Sequence, residues 1–149
     1  MNIIRNFAIG IILCLVASLE FGCTTATGPA FQKISQIPQE KGLVYIYRPD
    51  SIMGAAIHYD VYAGDVKLCD LVRGGYCTYL AKPGELEIWG KTEAKGSVTV
   101  DVKAGQEHYV KGGLSVGVFV GHPNLTIVDQ IVGSKEIEEC KLLTVNQSK

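Results

Sequence analysis

Apolar and polar residues alternate along much of the chain beyond residue 42, as they do in strands that place one face in a core. The clearest case is Ser97–Lys103, in which Val98, Val100 and Val102 point inward and the residues between them point outward. Leu43–Tyr47 is instead apolar throughout and rich in β-branched and aromatic residues, which predicts a strand covered on both faces. Shorter runs predict further strands at 57–63, 66–71, 76–81, 86–92, 107–111 and 125–128.

Glycine, proline and aspartate turns separate these runs, as at Lys82–Glu85. We therefore predict a mainly β fold, an antiparallel β-sandwich (or a barrel-like arrangement) of about seven or eight strands. One short helix is predicted at 134–143, with Ser134 as its N-cap. Ile137, Cys140 and Leu143 would lie on one side of this helix and pack on the sheet.

The apolar run at the N-terminus has the layout of a secretory signal. Arg5 provides the positive start, and Phe7–Leu19 is shorter than the roughly 20 apolar residues that span a bilayer. Gly22 is the small residue before a cleavage site, and Cys23 follows it. We predict that residues 1–22 are removed and that Cys23 is lipidated. The alternatives are an ordinary cleaved signal, which would give a soluble periplasmic protein, and an uncleaved helical anchor.

Two details qualify the signal. Glu20 stands three places before the cysteine, where a lipoprotein signal usually has leucine, and Leu19 precedes it. Thr24 is not the aspartate that marks retention at the inner membrane. We therefore expect a location in the cell envelope, lipid-anchored at the outer membrane and facing the periplasm.

Length and charge limit the remaining possibilities. Removing 22 of 149 residues leaves 127, enough for one core without a metal. We divide them into a tether (23–41), a β-sandwich domain (42–145) and a tail (146–149). The net charge of −1 and the lack of a basic run argue against a nucleic-acid partner. We predict no cofactor, and as partners the membrane together with an envelope protein or a cell-wall glycan.

The cysteines suggest a structural bridge. Cys69 and Cys77 are symmetric about Arg73, so an antiparallel hairpin would place them opposite each other at disulfide distance. There is no Cys-x-x-Cys motif, which makes redox catalysis a poor interpretation. Cys140 is interpreted as a small core residue, with pairing to Cys69 or Cys77 as the alternative.

Candidate catalytic groups do not form a convincing set. Gly113–Gly117 matches Gly-x-Ser-x-Gly, but the nucleophile elbow needs a strand-to-helix turn, and the following residues are strand-like. A small serine hydrolase using Ser115 with His108 or His122 stays as the alternative. The chain has no histidine pair with metal-ligand spacing, so no metal site is predicted, for His58 either. A non-enzymatic binding or structural module is the preferred interpretation.

A possible binding surface for a glycan or peptide consists of Arg48, Arg73, Trp89 and Phe119. Phe119 belongs to the glycine-rich apolar stretch 112–121, which we interpret as a buried strand or, alternatively, as an exposed edge that binds a partner or the membrane. Aromatic residues on strands more often form cross-strand pairs or core contacts.

The order of four segments resembles the small bacterial lipoproteins that carry domain of unknown function 2846. These segments are Gly42–Pro49, Gly74–Tyr76, Lys82–Glu85 and Ala104–Val110. The resemblance covers about residues 42–143 and implies a small envelope lipoprotein with a β-sandwich. The family has no assigned activity, so the resemblance carries no catalytic residue to this chain.

Overall fold

A computed structural model of the protein describes residues 25–115 and 121–144. These residues form two facing sheets of a mainly β sandwich with one short helix near the C-terminus, which confirms the predicted fold class. The described strands number nine, slightly more than predicted. They are β1 Gly42–Arg48, β2 Tyr59–Ala63, β3 Val66–Leu71, β4 Gly75–Ala81, β5 Gly84–Lys91, β6 Lys95–Val102, β7 Glu107–Ser115, β8 His122–Val128 and β9 Lys141–Leu142.

The first sheet has the order β8-β7-β1-β4-β9, and the second has the order β3-β2-β5-β6. Most neighbours are antiparallel, but β1 pairs with β7 and β4 pairs with β9 in parallel. The β1–β7 pair forms after two excursions into the second sheet: the chain passes through β2 and β3, returns to the first sheet with β4, leaves again for β5 and β6, and then places β7 beside β1. Such long-range pairing is not encoded by local alternation, so the sequence predicted the antiparallel sandwich but not these two parallel pairs.

The central strand β1 is buried at every position, as its uninterrupted apolar sequence predicted. Val44 and Ile46 face the second sheet and belong to the core between the sheets. Leu43, Tyr45 and Tyr47 face the other way, into a second cluster with Tyr109 and Ile137. When both faces of a central strand are covered, none of its side chains contacts solvent. Its sequence is therefore apolar throughout and does not alternate between apolar and polar residues.

The helix begins earlier than the sequence suggested. Helix α1 spans Gln130–Glu136 and is followed by a 3₁₀ turn at Ile137–Glu139. Its N-cap is Asp129, whose carboxylate accepts a hydrogen bond from the Ile131 N–H at 2.8 Å, so Ser134 lies inside the helix. Ile137 and Cys140 are buried as predicted, although Cys140 already lies beyond the helix.

The predicted tether is attached to the domain in its described part, residues 25–41. Phe31 packs edge-on against Tyr45 and Tyr76, with ring centroids 5.6 and 5.2 Å apart. Its backbone N–H donates to the Cys140 carbonyl at 3.0 Å, and Ala26 is buried. The segment covers apolar rings on the outer face of the first sheet that would otherwise contact water, which explains why it does not act as a free spacer.

Candidate functional site

Arg48 ends β1 and is a buried residue, with 3% of its surface exposed. Its guanidinium donates from Nη1 to the Ile57 carbonyl at 2.6 Å and from Nη2 to the Gly54 carbonyl at 2.8 Å. Burial lowers the pKa of Arg48, and nearby Arg73 adds to this effect. An arginine nevertheless stays protonated in proteins. The prediction of Arg48 as a surface binding residue is therefore wrong, since its charged end is used inside the fold.

The residues that Arg48 holds form a compact loop, residues 49–58, which we call the Arg48 loop. Within it the Ala55 N–H donates to the Ile52 carbonyl at 3.2 Å and the Ile57 N–H to the Gly54 carbonyl at 3.0 Å. Gly54 has a φ of +69°, a left-handed conformation that favours glycine. The loop is thus fixed at its base and internally hydrogen-bonded. Its tip presents Ile52 and Met53, which are 91% and 73% exposed.

Arg73 lies at the same end of the sandwich and joins the loop to the N-terminal segment. Its Nε donates to the Thr25 hydroxyl at 3.1 Å and lies 3.5 Å from an Asp50 carboxylate oxygen. The Gly74 N–H donates to the Arg48 carbonyl at 2.8 Å. The structure therefore brings Arg48 and Arg73 together. We call the assembly of Thr25, Arg73 and the Arg48 loop the loop end of the sandwich.

The structure joins Cys69 and Cys77 in a disulfide, with their Cα atoms 6.5 Å apart. The hairpin that led to this pairing is wrong, however. Cys69 lies opposite Val61 in the second sheet, and Cys77 lies opposite Ile46 in the first. The turn at Arg73 carries the chain from one sheet to the other because β3 and β4 each find another strand to pair with. The bridge therefore links the two sheets across the core.

Cys140 is a free thiol, buried between the 3₁₀ turn and β1. Its Sγ donates to the Arg48 carbonyl at 3.8 Å. Burial, followed by the carboxylates of Glu139 and Glu136, raises the pKa of Cys140 to about 12. Because the thiolate is the reactive form, the side chain is protected both sterically and chemically.

We expect Cys140 to resist iodoacetamide in the folded protein at pH 8 and to react fully after unfolding in urea. Folding keeps the thiol neutral and out of contact with the reagent, whereas unfolding returns it to an ordinary pKa. Peptide mass spectrometry of the two samples measures the modified fraction. Rapid modification of Cys140 in protein whose circular dichroism is unchanged would contradict the buried position.

Trp89 lies on β5 of the second sheet, whereas Arg48 ends β1 of the first. Its ring stacks on Tyr62 with centroids 4.2 Å apart, and the Lys95 ammonium lies 4.9 Å from the ring centroid. Tyr62 and Lys95 come from β2 and β6, the strands on either side of β5, so neighbouring side chains cover the ring from both sides. Its Nε1 donates to the Gly64 carbonyl at 2.7 Å. Trp89 is thus a cross-strand partner of Tyr62.

The remaining member of the predicted binding surface, Phe119, lies outside the described residues, as does Cys23. A shallow cleft of about 390 Å³ lies beside Trp89 and includes the His58–Asp70 pair, whose closest atoms are 2.9 Å apart. The cleft offers polar groups and the edges of rings.

Ser115 lies at the end of β7 and pairs directly with His122 at the start of β8. Its hydroxyl donates to the His122 carbonyl at 3.4 Å and not to the imidazole. The Nε2 atom of His108 accepts a hydrogen bond from the Lys103 N–H at 3.0 Å, on another part of the sheet. The serine therefore occupies an antiparallel ladder and not the strand-to-helix turn of a nucleophile elbow.

Within residues 25–115 and 121–144, no three His, Cys, Asp or Glu side chains are grouped so that they could hold a metal ion. Nowhere in that described part of the chain is a helix long and apolar enough to cross a membrane. The sequence did not single out the two exposed apolar residues at the loop tip, Ile52 and Met53. The feature that could have identified them is the presence of two large apolar residues inside a turn-rich segment.

Comparison with known proteins identifies a family whose function is unknown. The model of a family described as protein of unknown function (DUF2846) matches residues 38–122. An uncharacterised protein of Haemophilus influenzae (strain Rd) is 28% identical over 134 residues, which cover 85% of this chain and 79% of that protein. No solved structure matches the chain at a significant level.

Proposed function

The chain belongs to the DUF2846 family of proteins of unknown function, and we propose that it is a lipid-anchored protein of the bacterial cell envelope that serves as a non-enzymatic binding or structural module. The observation that carries this proposal is the N-terminal layout. A basic start at Arg5, an apolar core at Phe7–Leu19 and a small residue immediately before Cys23 are the parts of a lipoprotein signal.

Two structural features support this proposal. The Cys69–Cys77 disulfide is the kind of bond that persists in oxidising compartments such as the periplasm. The segment from Thr25 onward packs on the domain, so Cys23 sits immediately before the folded part of the chain. A lipidated Cys23 would hold the domain close to the bilayer surface, facing the periplasm from the outer membrane, where it would meet other envelope components.

Replacing Cys23 by alanine is expected to abolish both the lipid mass and the cleavage before residue 23, because cleavage of a lipoprotein signal follows acylation of the cysteine. The wild-type protein should carry the added mass of acyl chains on an N-terminal peptide that begins at Cys23, because the thiol is the proposed attachment point. Intact mass spectrometry and membrane fractionation of cells expressing each version measure both effects. Cys14→Ala is the matched control, since Cys14 lies inside the signal and its loss should leave lipidation unchanged.

A wild-type protein that is water-soluble and has no lipid mass would overturn the proposal. It would mean that Glu20 prevents lipoprotein processing, and a diffusible periplasmic protein would then be the better description. Wild-type protein that stays with the membrane, keeps residues 1–22 and carries no lipid mass would instead identify an uncleaved helical anchor.

A further inference from the structure

We propose that the tip of the Arg48 loop, Ile52 and Met53, inserts into the membrane surface next to the lipid anchor. The domain would then be held at two points and would have a fixed orientation on the bilayer. This inference rests on the proposed lipidation of Cys23. Its other basis is the geometry of the loop end, which is independent of the signal sequence.

The short chain between Cys23 and Thr25 keeps a lipid anchor close to the domain. Two residues span at most about 7 Å, so Cys23 lies within that distance of Thr25. Thr25 is itself fixed to the domain, because its hydroxyl accepts a hydrogen bond from Arg73 at 3.1 Å. The polar layer on each side of a bilayer is about 5–8 Å thick. A lipid on Cys23 therefore brings the loop end of the sandwich to the headgroups.

The Arg48 loop begins close to the point where the N-terminal segment meets the domain. Arg73 contacts Thr25 and Asp50 with the same nitrogen atom, so the start of the Arg48 loop lies beside the point where the chain enters the domain. Gly74 lies next to both residues: a Cβ atom added to it would be 3.8 Å from the Asp50 Cβ and 3.9 Å from the Thr25 Cγ2. The loop and the anchor consequently face the same side.

The tip of the Arg48 loop is apolar and uncharged. Ser51–Ile57 contains no charged residue, and its exposed large apolar side chains are Ile52 and Met53, exposed by 91% and 73%. Two apolar side chains held out into water cost free energy unless something covers them. Of the polar groups that flank this tip, Asp50 lies beside Arg73, and His58 is hydrogen-bonded to Asp70. Shallow insertion of such an apolar tip into the headgroup region is how interfacial segments bind a bilayer.

The orientation that follows places the opposite end of the sandwich away from the membrane. Strand β3 runs from Val66 to Leu71, and its Leu71 end leads into Arg73. Six strand residues extend about 17 Å or more, so Val66 would lie well outside the headgroup layer. Val66 is itself 49% exposed, which makes it a matched apolar reference position.

The test uses the full-length lipoprotein, purified in detergent and reconstituted into vesicles of phosphatidylethanolamine and phosphatidylglycerol. Trp89 is the single tryptophan of the chain, so Trp89→Phe provides a background in which one new tryptophan can be read. Met53→Trp in this background should show blue-shifted fluorescence, quenched roughly twofold when the acyl chains carry bromine, because an inserted ring lies near the acyl chains. Val66→Trp in the same background should show neither change.

The same sample separates the two hypotheses, because its intact mass reports whether Cys23 carries lipid. Lipidated protein with an unquenched tryptophan at position 53 would overturn loop insertion and leave the anchor in place. Unlipidated protein that is still quenched at position 53 would overturn the anchor and support the loop. Equal quenching at positions 53 and 66 would also overturn the inference, since it would mean that the domain has no fixed orientation.

Discussion

Replacing Arg48 by methionine is expected to lower the free energy of unfolding by about 2–5 kcal/mol. Methionine keeps an apolar stem of similar length, so the change removes the guanidinium more than the packing. The carbonyls of Gly54 and Ile57, which accept from it at 2.8 and 2.6 Å, would lose their charged donor. Urea denaturation of the Cys23→Ala protein made without residues 1–22, which has neither lipid nor signal, measures the difference.

The effect should also be local in a specific way. Hydrogen exchange should accelerate in the Arg48 loop far more than in β4, because the loop loses the group that fixes its base while the strand keeps its ladder. In the lipidated protein, the same substitution should weaken the membrane insertion proposed for Ile52 and Met53, since their positions depend on that base.

Arg73→Met is the matched control for Arg48→Met. Arg73 makes comparable contacts at the same end of the sandwich, but its Asp50 partner is 58% exposed, and exposed ion pairs contribute about 0–1 kcal/mol. Arg48→Lys should recover part of the loss, because one ammonium keeps the charge but lacks the planar fork of the guanidinium. Equal destabilisation by Arg48→Met and Arg73→Met would contradict the role assigned to the buried guanidinium.

The elements predicted well from the sequence are those that local patterns determine. Val100 and Val102 are buried as their alternation required, and Leu43–Tyr47 is covered on both faces as its uninterrupted apolar run required. Turn residues such as those at Lys82–Glu85 marked strand ends for the same reason. In each case, the environment of a residue is imposed by its immediate neighbours along the chain.

The predictions that failed depended on contacts between distant parts of the chain. Arg48 was included in a possible binding surface, but charged side chains can be buried when they are hydrogen-bonded. The carbonyls of Gly54 and Ile57, which come from a later loop, accept the hydrogen bonds that allow its burial. The spacing about Arg73 identified the cysteine pair but not the strands that β3 and β4 pair with. Ser134 and Asp129 both suit an N-cap, and the packing of the helix on Tyr109 selects the earlier start.

Removing the Cys69–Cys77 disulfide is the second change for which we expect a large effect, a loss of about 2.5 kcal/mol of stability. Loop-closure entropy for residues separated by eight positions gives this magnitude, because the bridge restricts the unfolded chain. The double substitution Cys69→Ala, Cys77→Ala should lower the melting temperature by roughly 10 °C. Scanning calorimetry of the Cys23→Ala protein with and without the pair measures it. Both sulfurs are buried, so a small packing loss adds to the entropic effect.

Cys140→Ala is the control for that loss, since it removes a buried thiol of the same size without opening a loop. It should cost clearly less than the double substitution. Peptide mapping without reductant should give one linked pair, Cys69 with Cys77, and a peptide linked through Cys140 would refute the arrangement.

The bridge also tests the compartment independently of the lipid. Protein made in the cytoplasm without residues 1–22 should contain reduced Cys69 and Cys77 and melt like the double variant, because cytoplasmic thiols are kept reduced. Protein recovered from the envelope should melt at the higher temperature until it is reduced.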